Sequence, residues 1–182
     1  MKIKKALRVI GKTLIFRDAT KEDAEFILSL RVDPVKSRYL SKTSTELNDQ
    51  YTWLESYESK NDQAYFIIEF ENQRIGTVRL YDQRYNSFCW GSWILINTRP
   101  SHAAMESALM VYSYALNDLG FTASHFDVRK GNEKVWQFHE RFGAERISED
   151  DLDYFYSLSR EAIENSLIKY SRFLSDPVIV VR

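Results

Sequence analysis

The sequence contains a single cysteine, Cys89, and no long run of apolar residues. One thiol can form neither a disulfide framework within the chain nor a cluster of thiolate metal ligands. No segment approaches the roughly 18 consecutive apolar residues that a membrane-spanning helix requires. We therefore expect a protein of the reducing cytoplasm, with no metal centre and no membrane partner.

An excess of charge is also missing, because 25 lysines and arginines stand against 26 aspartates and glutamates, for a net charge of −1. A dedicated nucleic-acid surface would need a basic excess to displace counterions from phosphates. The apolar stretch Ala6 to Ile10 of the basic N-terminus is too short for a signal peptide and is interrupted by Arg8. Nucleic acid is thus the least expected partner.

The 182 residues, 44% of them hydrophobic, are enough for one domain with a sizeable core, and we expect that domain to span residues 1–182. Its last part, about 160–182, is predicted to be a helix followed by an apolar tail. The tail, Val178 to Val181, would be an aggregation hazard if exposed. It is predicted to form either an edge strand or a subunit contact, the latter implying a homodimer.

Hydrophobic periodicity predicts strands interrupted by helices. The organising stretch is Trp90 to Ala144, which is predicted to fold as a strand, a loop, a helix, a parallel strand and a second helix. Glycines close both helices, and Asn132 is placed to cap the second. The predicted strands are Thr13–Arg17, Ala64–Phe70, Arg74–Tyr81, Tyr85–Ile96, Phe121–Val128, Ala144–Ile147 and Asp153–Leu158, and the predicted helices begin near Ala24, Leu47, Ala104, Glu133 and Arg160.

The loop that follows Ile96 is predicted to direct free backbone N–H groups at whatever lies over the start of the next helix. Such places favour anions, because the unsatisfied N–H groups and the helix dipole both carry partial positive charge.

The element order from about Thr13 to Leu158 resembles that of the GNAT superfamily of acetyl-CoA-dependent N-acyltransferases. The resemblance is sharpest at Val128 to Ala144, where Asn132, Val135, Phe138, Arg141 and Gly143 match the family pattern. It implies an α+β, three-layer fold, in which helices flank both faces of a mixed, mostly antiparallel central sheet. The implied activity is transfer of an acetyl group from acetyl-CoA to a primary amine, with no metal.

The resemblance also implies the residues that would hold acetyl-CoA. The strand after Trp93 and the following loop would contact the pantetheine arm and the pyrophosphate, and the short helix would line the other side of the arm. The cofactor-binding residues implied in this way are Ile94, Leu95, Ile96, Arg99, His102, Ala103, Ala104, Met105, Ser107, Asn132, Val135 and Trp136.

The phosphate loop departs from the family pattern, because its usual glycines are absent from Ser101 to Glu106. Those glycines let the backbone approach a pyrophosphate closely. Glu106 stands where a small residue is usual, and we expect its carboxylate to compete with the pyrophosphate for the helix start. Nearby Arg99, His102, Arg129 or Lys130 would offset that charge.

His139 is the first catalytic candidate, because it occupies the position at which the family commonly has a proton-donating Tyr. An imidazole with its ordinary pKa near about 6.5 could pass a proton to the departing CoA thiolate. Asp127 is the preferred candidate for the base that deprotonates the amine, with Asp82 and His125 as alternatives; loss of the proton to solvent remains a further route. A bulge near Gly91 would present the N–H that polarises the thioester carbonyl.

Acceptor recognition is expected from the polar segment Ser37 to Thr45 and from the strand Arg74 to Tyr81. Arg38, Tyr39, Arg79 and Tyr81 suit an anionic, flat-faced ligand such as an amino sugar nucleotide, since arginine matches phosphate oxygens and aromatic rings stack on bases. The resemblance extends equally to acetyltransferases of protein N-terminal alanine. The alternative function is a catalytically inactive GNAT fold that binds CoA or a protein partner.

Overall fold

The computed structural model describes residues 1–40 and 42–182, so Ser41, within the polar segment considered above, lies outside the described residues. In the described part of the chain, nine strands form one sheet in the order β7-β8-β6-β5-β4-β3-β2-β1-β9. The strands are β1 (Arg8–Ile10), β2 (Leu14–Asp18), β3 (Ala64–Phe70), β4 (Gln73–Arg84), β5 (Ser87–Leu95), β6 (Ala123–Arg129), β7 (Glu145–Glu149), β8 (Asp153–Ser159) and β9 (Ile179–Val181).

Helices cover both faces of the sheet, and their bounds are α1 (Ala24–Arg31), α2 (Leu47–Ser59), α3 (Ala103–Ser113), α4 (Glu133–Arg141) and α5 (Arg160–Lys169). A short 3₁₀ turn, Lys21–Asp23, leads into α1, and at its start the backbone N–H of Thr20 donates to the Asp23 carboxylate over 2.9 Å. The helix ends before Pro34, as the proline predicts. Gly120 and Gly143 both have positive φ, which confirms their predicted role in ending helices.

Strand β3 explains why the core has two parts. Phe66 and Ile68 point to one face and join the large core under α3 and α5, whereas Tyr65 and Ile67 point to the other face and pack with α1 and α2. Alternate residues of a strand point to opposite faces, so a strand buried on both faces reads as an almost continuous apolar run. The mixed, mostly antiparallel three-layer fold expected from sequence is confirmed.

One strand pair within the described sheet is parallel, that of β5 with β6. It pairs only at Ser87 with Ala123 and at Phe88 with Ser124, after which the two strands diverge. Strand β5 continues to Leu95 and β6 to Arg129, so the rest of each strand faces a gap. This divergence positions the candidate site.

The chain ends differ from the sequence-based expectation in one respect. The short strand β1 was not predicted, because Arg8 interrupts its apolar pattern. It pairs with β2 on one side and with β9 on the other, so the apolar tail forms the edge strand that was one of its two predicted roles. After Ser113, helix α3 continues as a π-helical turn from Tyr114 to Asp118, which was not predicted, and the helical segment ends before Gly120 as expected. Among the described helices, none is both long enough and apolar enough to cross a membrane.

Candidate active site

A cavity of about 260 Å³ opens where β5 and β6 diverge. We call it the strand-gap cavity; Trp90, Ser92 and Trp93 of β5 line one side, and Phe126, Asp127 and Arg129 of β6 line the other. Helix α4 closes it with Asn132, Val135 and His139. Residues three and four positions apart lie on one face of a helix, and the spacing of these three residues therefore brings them to one cavity.

Asn132 occupies the N-cap position of α4, as predicted, but its side chain makes no capping hydrogen bond. The amide instead lines the strand-gap cavity. A side-chain amide that is not used by the helix can donate and accept hydrogen bonds to a ligand.

His139 is enclosed by aromatic rings. The centroid of its imidazole lies 4.2 Å from that of Phe126, 5.3 Å from that of Trp90 and 5.7 Å from that of Phe138. Burial in these surroundings lowers the pKa of His139 to about 3, because the charged form is poorly solvated there. The ordinary pKa expected from sequence is therefore wrong for this state, and the ring is neutral at pH 7.

The predicted bulge in β5 is present, since the register between β4 and β5 shifts between Thr77 and Arg79. The residue in the left-handed region is Ser92, with φ of 46°, and not Gly91. The hydroxyl of Thr77 donates to the Ser92 carbonyl over 2.7 Å and fixes the bulge. A non-glycine residue held at positive φ beside a cavity is a strained backbone position of the kind found at functional sites.

Helix α3 follows β5 in the chain after a loop of residues 96–102. The N–H of Ala103 bonds to the Pro100 carbonyl and that of Glu106 to the His102 carbonyl. The N–H groups of Ala104 and Met105 between them have no acceptor within the described residues, as expected for the first turn of a helix. Two free N–H groups thus remain available to an anion.

Glu106 does not compete for these N–H groups, which corrects the expectation from sequence. Its side chain is 1% exposed and turns toward the β1–β2 connection. Its carboxylate accepts hydrogen bonds from the backbone N–H of Thr13 at 2.6 Å, from that of Leu14 at 2.9 Å and from the Thr13 hydroxyl at 2.7 Å. His102 Nε2 lies 2.8 Å from the same hydroxyl. Glu106 therefore ties the N-terminal hairpin to α3.

Several residues expected to bind the cofactor do not line the strand-gap cavity. Ser107 is fully buried, and its hydroxyl accepts from the Trp93 indole and donates to the Ala104 carbonyl, so it is not presented to a ligand as predicted. Trp136 faces Tyr154 and donates to the Lys130 carbonyl. The others are outside the cavity lining as well: Ile94, Leu95, Ile96, Arg99, His102, Ala103, Ala104 and Met105.

The three candidate bases occupy different places. Asp127 is exposed and lines the strand-gap cavity. Asp82 and His125 do not line the strand-gap cavity; His125 contacts Asp82 at 3.3 Å and Ser87 at 2.7 Å. Asp153, which sequence reasoning missed, also lines the cavity; burial raises its pKa although Arg129 lies 3.3 Å away.

A second cavity, of about 450 Å³, lies between the pair α1–α2 and the sheet. We call it the helix-pair cavity. Its lining includes the charged residues Arg31, Lys42, Asp49 and Arg79, together with three aromatic residues, Trp53, Tyr65 and Tyr81. Arg31, Tyr81 and Ser92 line both cavities, so the two meet at these residues.

Of the acceptor-binding residues predicted from sequence, Arg79 and Tyr81 line the helix-pair cavity. Tyr39 lines the strand-gap cavity instead, beside Gly131. Arg38 is exposed, lies over the Tyr39 ring and lines neither cavity. Sequence reasoning missed Arg31, whose position at the end of a predicted helix gave no signal that it would face the sheet.

Comparison with known proteins agrees with this geometry. A family model described as an acetyltransferase (GNAT) domain matches residues 13–145. The chain belongs to the GNAT acetyltransferase family. The solved structure of "Apo FdhC- a nucleotide-linked sugar GNAT" is 41% identical to it, with a TM-score of 0.83 over 92% of this chain and 98% of that one. The protein is therefore an acyltransferase of the GNAT type.

Two more distant GNAT structures share the fold. A spermidine N-acetyltransferase from Vibrio cholerae, solved with CoA and spermine, is 17% identical, with a TM-score of 0.74 over 84% of this chain and 99% of that one. A GNAT-family acetyltransferase from Bacillus anthracis is 15% identical, with a TM-score of 0.72 over 85% and 99%. No curated protein sequence matches the chain.

Proposed function

We propose that this GNAT enzyme transfers an acetyl group from acetyl-CoA to the amino group of a nucleotide-linked amino sugar. The observation that carries the choice of acceptor is the charge of the helix-pair cavity. Its lining includes three basic side chains, Arg31, Lys42 and Arg79, against one carboxylate, Asp49. A basic cavity with aromatic walls favours an anionic ligand with flat faces.

The same charge argues against a polyamine acceptor. A spermidine-like substrate carries several positive charges and needs carboxylates or aromatic faces free of other cations. Here Arg79 already lies over the rings of Trp53 and Tyr81. The 41% identical relative is named as acting with a nucleotide-linked sugar, whereas the spermidine N-acetyltransferase is only 17% identical. Both lines of support favour the sugar nucleotide.

For the acyl donor, we propose that the pantetheine arm runs between the diverging β5 and β6. The free N–H groups of Ala104 and Met105 would meet the pyrophosphate, and Asn132 and Val135 would flank the arm. The N-terminus of a helix can bind phosphate even where the loop has no glycine, provided that its backbone N–H groups are free. Glu106 does not occupy these N–H groups, because its carboxylate bonds to Thr13 and Leu14. The thioester would then reach the junction of the two cavities at Ser92.

In the proposed reaction the acceptor nitrogen attacks the thioester carbonyl carbon, the carbon–sulfur bond breaks, and CoA leaves as the thiolate. The bulge at Ser92 supplies a rigid backbone position beside the carbonyl. Asp127, the exposed carboxylate in the cavity, takes the proton released from the amine and passes it to solvent.

His139 would act in its neutral form. A neutral imidazole has one N–H, which can donate a hydrogen bond to the charge that develops on sulfur or oxygen. The Nδ1 atom is buried and has no hydrogen-bond partner among the described residues. A bound thioester would provide one.

The experiment is a thiol-release assay with acetyl-CoA and three classes of acceptor, followed by mass spectrometry of the products. We expect acetylation of nucleotide-linked amino sugars, slow acetylation of the corresponding free amino sugars, and no acetylation of spermidine above background. Equal or faster turnover of spermidine would overturn the proposal. Thermal stabilisation by acetyl-CoA tests the donor site separately, since ligand at about 100 times its Kd adds roughly 2.7 kcal/mol to stability.

A further inference from the structure

Two residues of the helix-pair cavity carry buried polar atoms that have no partner in the described part of the chain. The Tyr65 hydroxyl and Arg79 Nε are both buried, and neither has a hydrogen-bond partner among residues 1–40 and 42–182. Tyr65 is only 3% exposed. Both residues line the cavity. Buried polar groups in native proteins are nearly always paired, so two unpaired groups on residues that line one cavity point to a ligand there.

Arg79 is held in one place without a carboxylate partner. Its guanidinium carbon lies 5.1 Å from the centroid of the Trp53 ring and 4.9 Å from that of the Tyr81 ring. Trp53 in turn packs edge-on against Tyr65 at 5.5 Å. Within the described residues Arg79 forms no ion pair. Its charge is thus positioned but not neutralised.

In the protein without ligand, the surroundings of Arg79 disfavour the positive charge of its guanidinium. Burial lowers the pKa of the Arg79 guanidinium, and the neighbouring Arg31 charge lowers it further. Arginine nevertheless stays protonated in proteins. A bound anion would remove both penalties, whereas a neutral sugar would remove neither.

We propose that Arg79 and Tyr65 form the phosphate-binding subsite of the helix-pair cavity, which receives the diphosphate of the acceptor and selects nucleotide-linked over free amino sugars. This deepens the proposed function and rests on it. The planar guanidinium matches two phosphate oxygens, and the Tyr65 hydroxyl donates to a third. The sugar amine then lies toward Tyr81 and Ser92, where the helix-pair cavity meets the strand-gap cavity.

The test measures binding of a nucleoside diphosphate without sugar to the whole protein by calorimetry. Arg79→Met should weaken this binding about 10- to 100-fold, the range expected for a charge-assisted hydrogen bond. Arg79→Lys keeps the charge but loses the planar fork, so its affinity for the nucleoside diphosphate should lie between those of wild type and Arg79→Met. Tyr65→Phe should weaken it about 3- to 10-fold. Arg84→Met, an exposed arginine at the far end of the same strand, should have no effect.

Acetyl-CoA affinity, measured on the same variants, shows that each one is folded and that its donor site is intact. Unchanged nucleoside diphosphate binding in Arg79→Met and Tyr65→Phe, with normal acetyl-CoA affinity, would overturn the subsite. Should Arg79→Met not fold, Arg79→Lys and Tyr65→Phe decide the question in the same way.

Kinetics separate this inference from the proposed function. Arg79→Met and Tyr65→Phe should each raise the KM for a nucleotide-linked amino sugar and leave the KM for the free amino sugar unchanged. If the wild-type protein acetylates no nucleotide-linked amino sugar, the proposed function fails, even if the protein binds the nucleoside diphosphate. If the nucleotide-linked sugars are acetylated but the two KM values change together, only the subsite is wrong.

Discussion

Two regions of this protein bury polar side chains in opposite ways. Glu106 at the start of α3 is almost fully buried, and its carboxylate is saturated by two backbone N–H groups and a hydroxyl. At the two cavities, the Tyr65 hydroxyl, Arg79 Nε and His139 Nδ1 are buried without any hydrogen-bond partner in the described chain. A satisfied buried group stabilises the fold, whereas an unsatisfied one lowers stability unless a ligand pairs with it. The first kind should therefore matter for folding, and the second for binding and catalysis.

The strongest test of this contrast replaces His139 in the strand-gap cavity. His139→Phe keeps the aromatic packing and removes both nitrogens, so we expect kcat to fall about 100- to 1,000-fold, as for loss of a donor to developing charge. His139→Gln, which keeps an N–H, should lose less. Steady-state kinetics with acetyl-CoA and the preferred acceptor measure both variants. A His139→Phe enzyme that releases CoA at the wild-type rate would exclude a role for the imidazole.

Glu106 should show the opposite behaviour. Glu106→Ala leaves the N–H groups of Thr13 and Leu14 and the Thr13 hydroxyl without their acceptor, so we expect a loss of about 3 to 5 kcal/mol of unfolding free energy. Glu106→Gln, which keeps one oxygen, should lose about half of that. Urea denaturation measures the change. If Glu106→Ala were as stable as wild type but bound acetyl-CoA differently, the contrast between the two regions would be wrong.

The buried imidazole should also make stability depend on pH. Burial lowers the pKa of His139 from 6.5 to about 3, so between these values the unfolded chain binds a proton that the folded chain does not. The stability due to the neutral ring is therefore complete above pH 6.5 and decreases as the pH falls toward 3. This effect amounts to about 2 kcal/mol between pH 7 and pH 5, a range that lies above the ordinary pKa values of carboxylates.

Denaturation of the wild-type protein and of His139→Phe at those two pH values isolates this contribution. The variant should lose the pH dependence and be at least as stable as wild type at pH 5. If the unfolding free energy changed equally between the two pH values in both proteins, groups other than His139 would cause the pH dependence.

The smallest expected effect concerns Tyr65. Removing its unpaired hydroxyl in Tyr65→Phe should leave unfolding free energy unchanged or raise it by about 1 kcal/mol, because a buried donor without a partner disappears. Thermal denaturation without ligand measures this difference. Tyr57→Phe is the matched control, since the Tyr57 hydroxyl donates to Asp18 at 2.5 Å and its loss should destabilise. Destabilisation of similar size in both variants would show that Tyr65 has a structural partner.

Much of the architecture followed from sequence because it depends on local periodicity. The apolar run from Ala64 to Phe70 predicted the strand β3, and glycines at 120 and 143 marked the ends of helices. The spacing of Asn132, Val135 and His139 likewise placed them on one helix face. The short strand β1 escaped notice, because Arg8 breaks its pattern and its pairing with β9 joins opposite ends of the chain.

By itself, the sequence determined the order and type of the elements, the family, and the helix that carries Asn132 and His139, because these depend on residues close together in the chain. Only the tertiary structure decided the charge state of His139, the direction of Glu106, and which arginines line the helix-pair cavity. Those properties depend on desolvation and on partners far apart in sequence, such as Glu106 with Thr13 and Arg79 with Trp53. The physical reason is that a side chain's pKa and its hydrogen bonds depend on what surrounds it in space, which residue spacing does not encode.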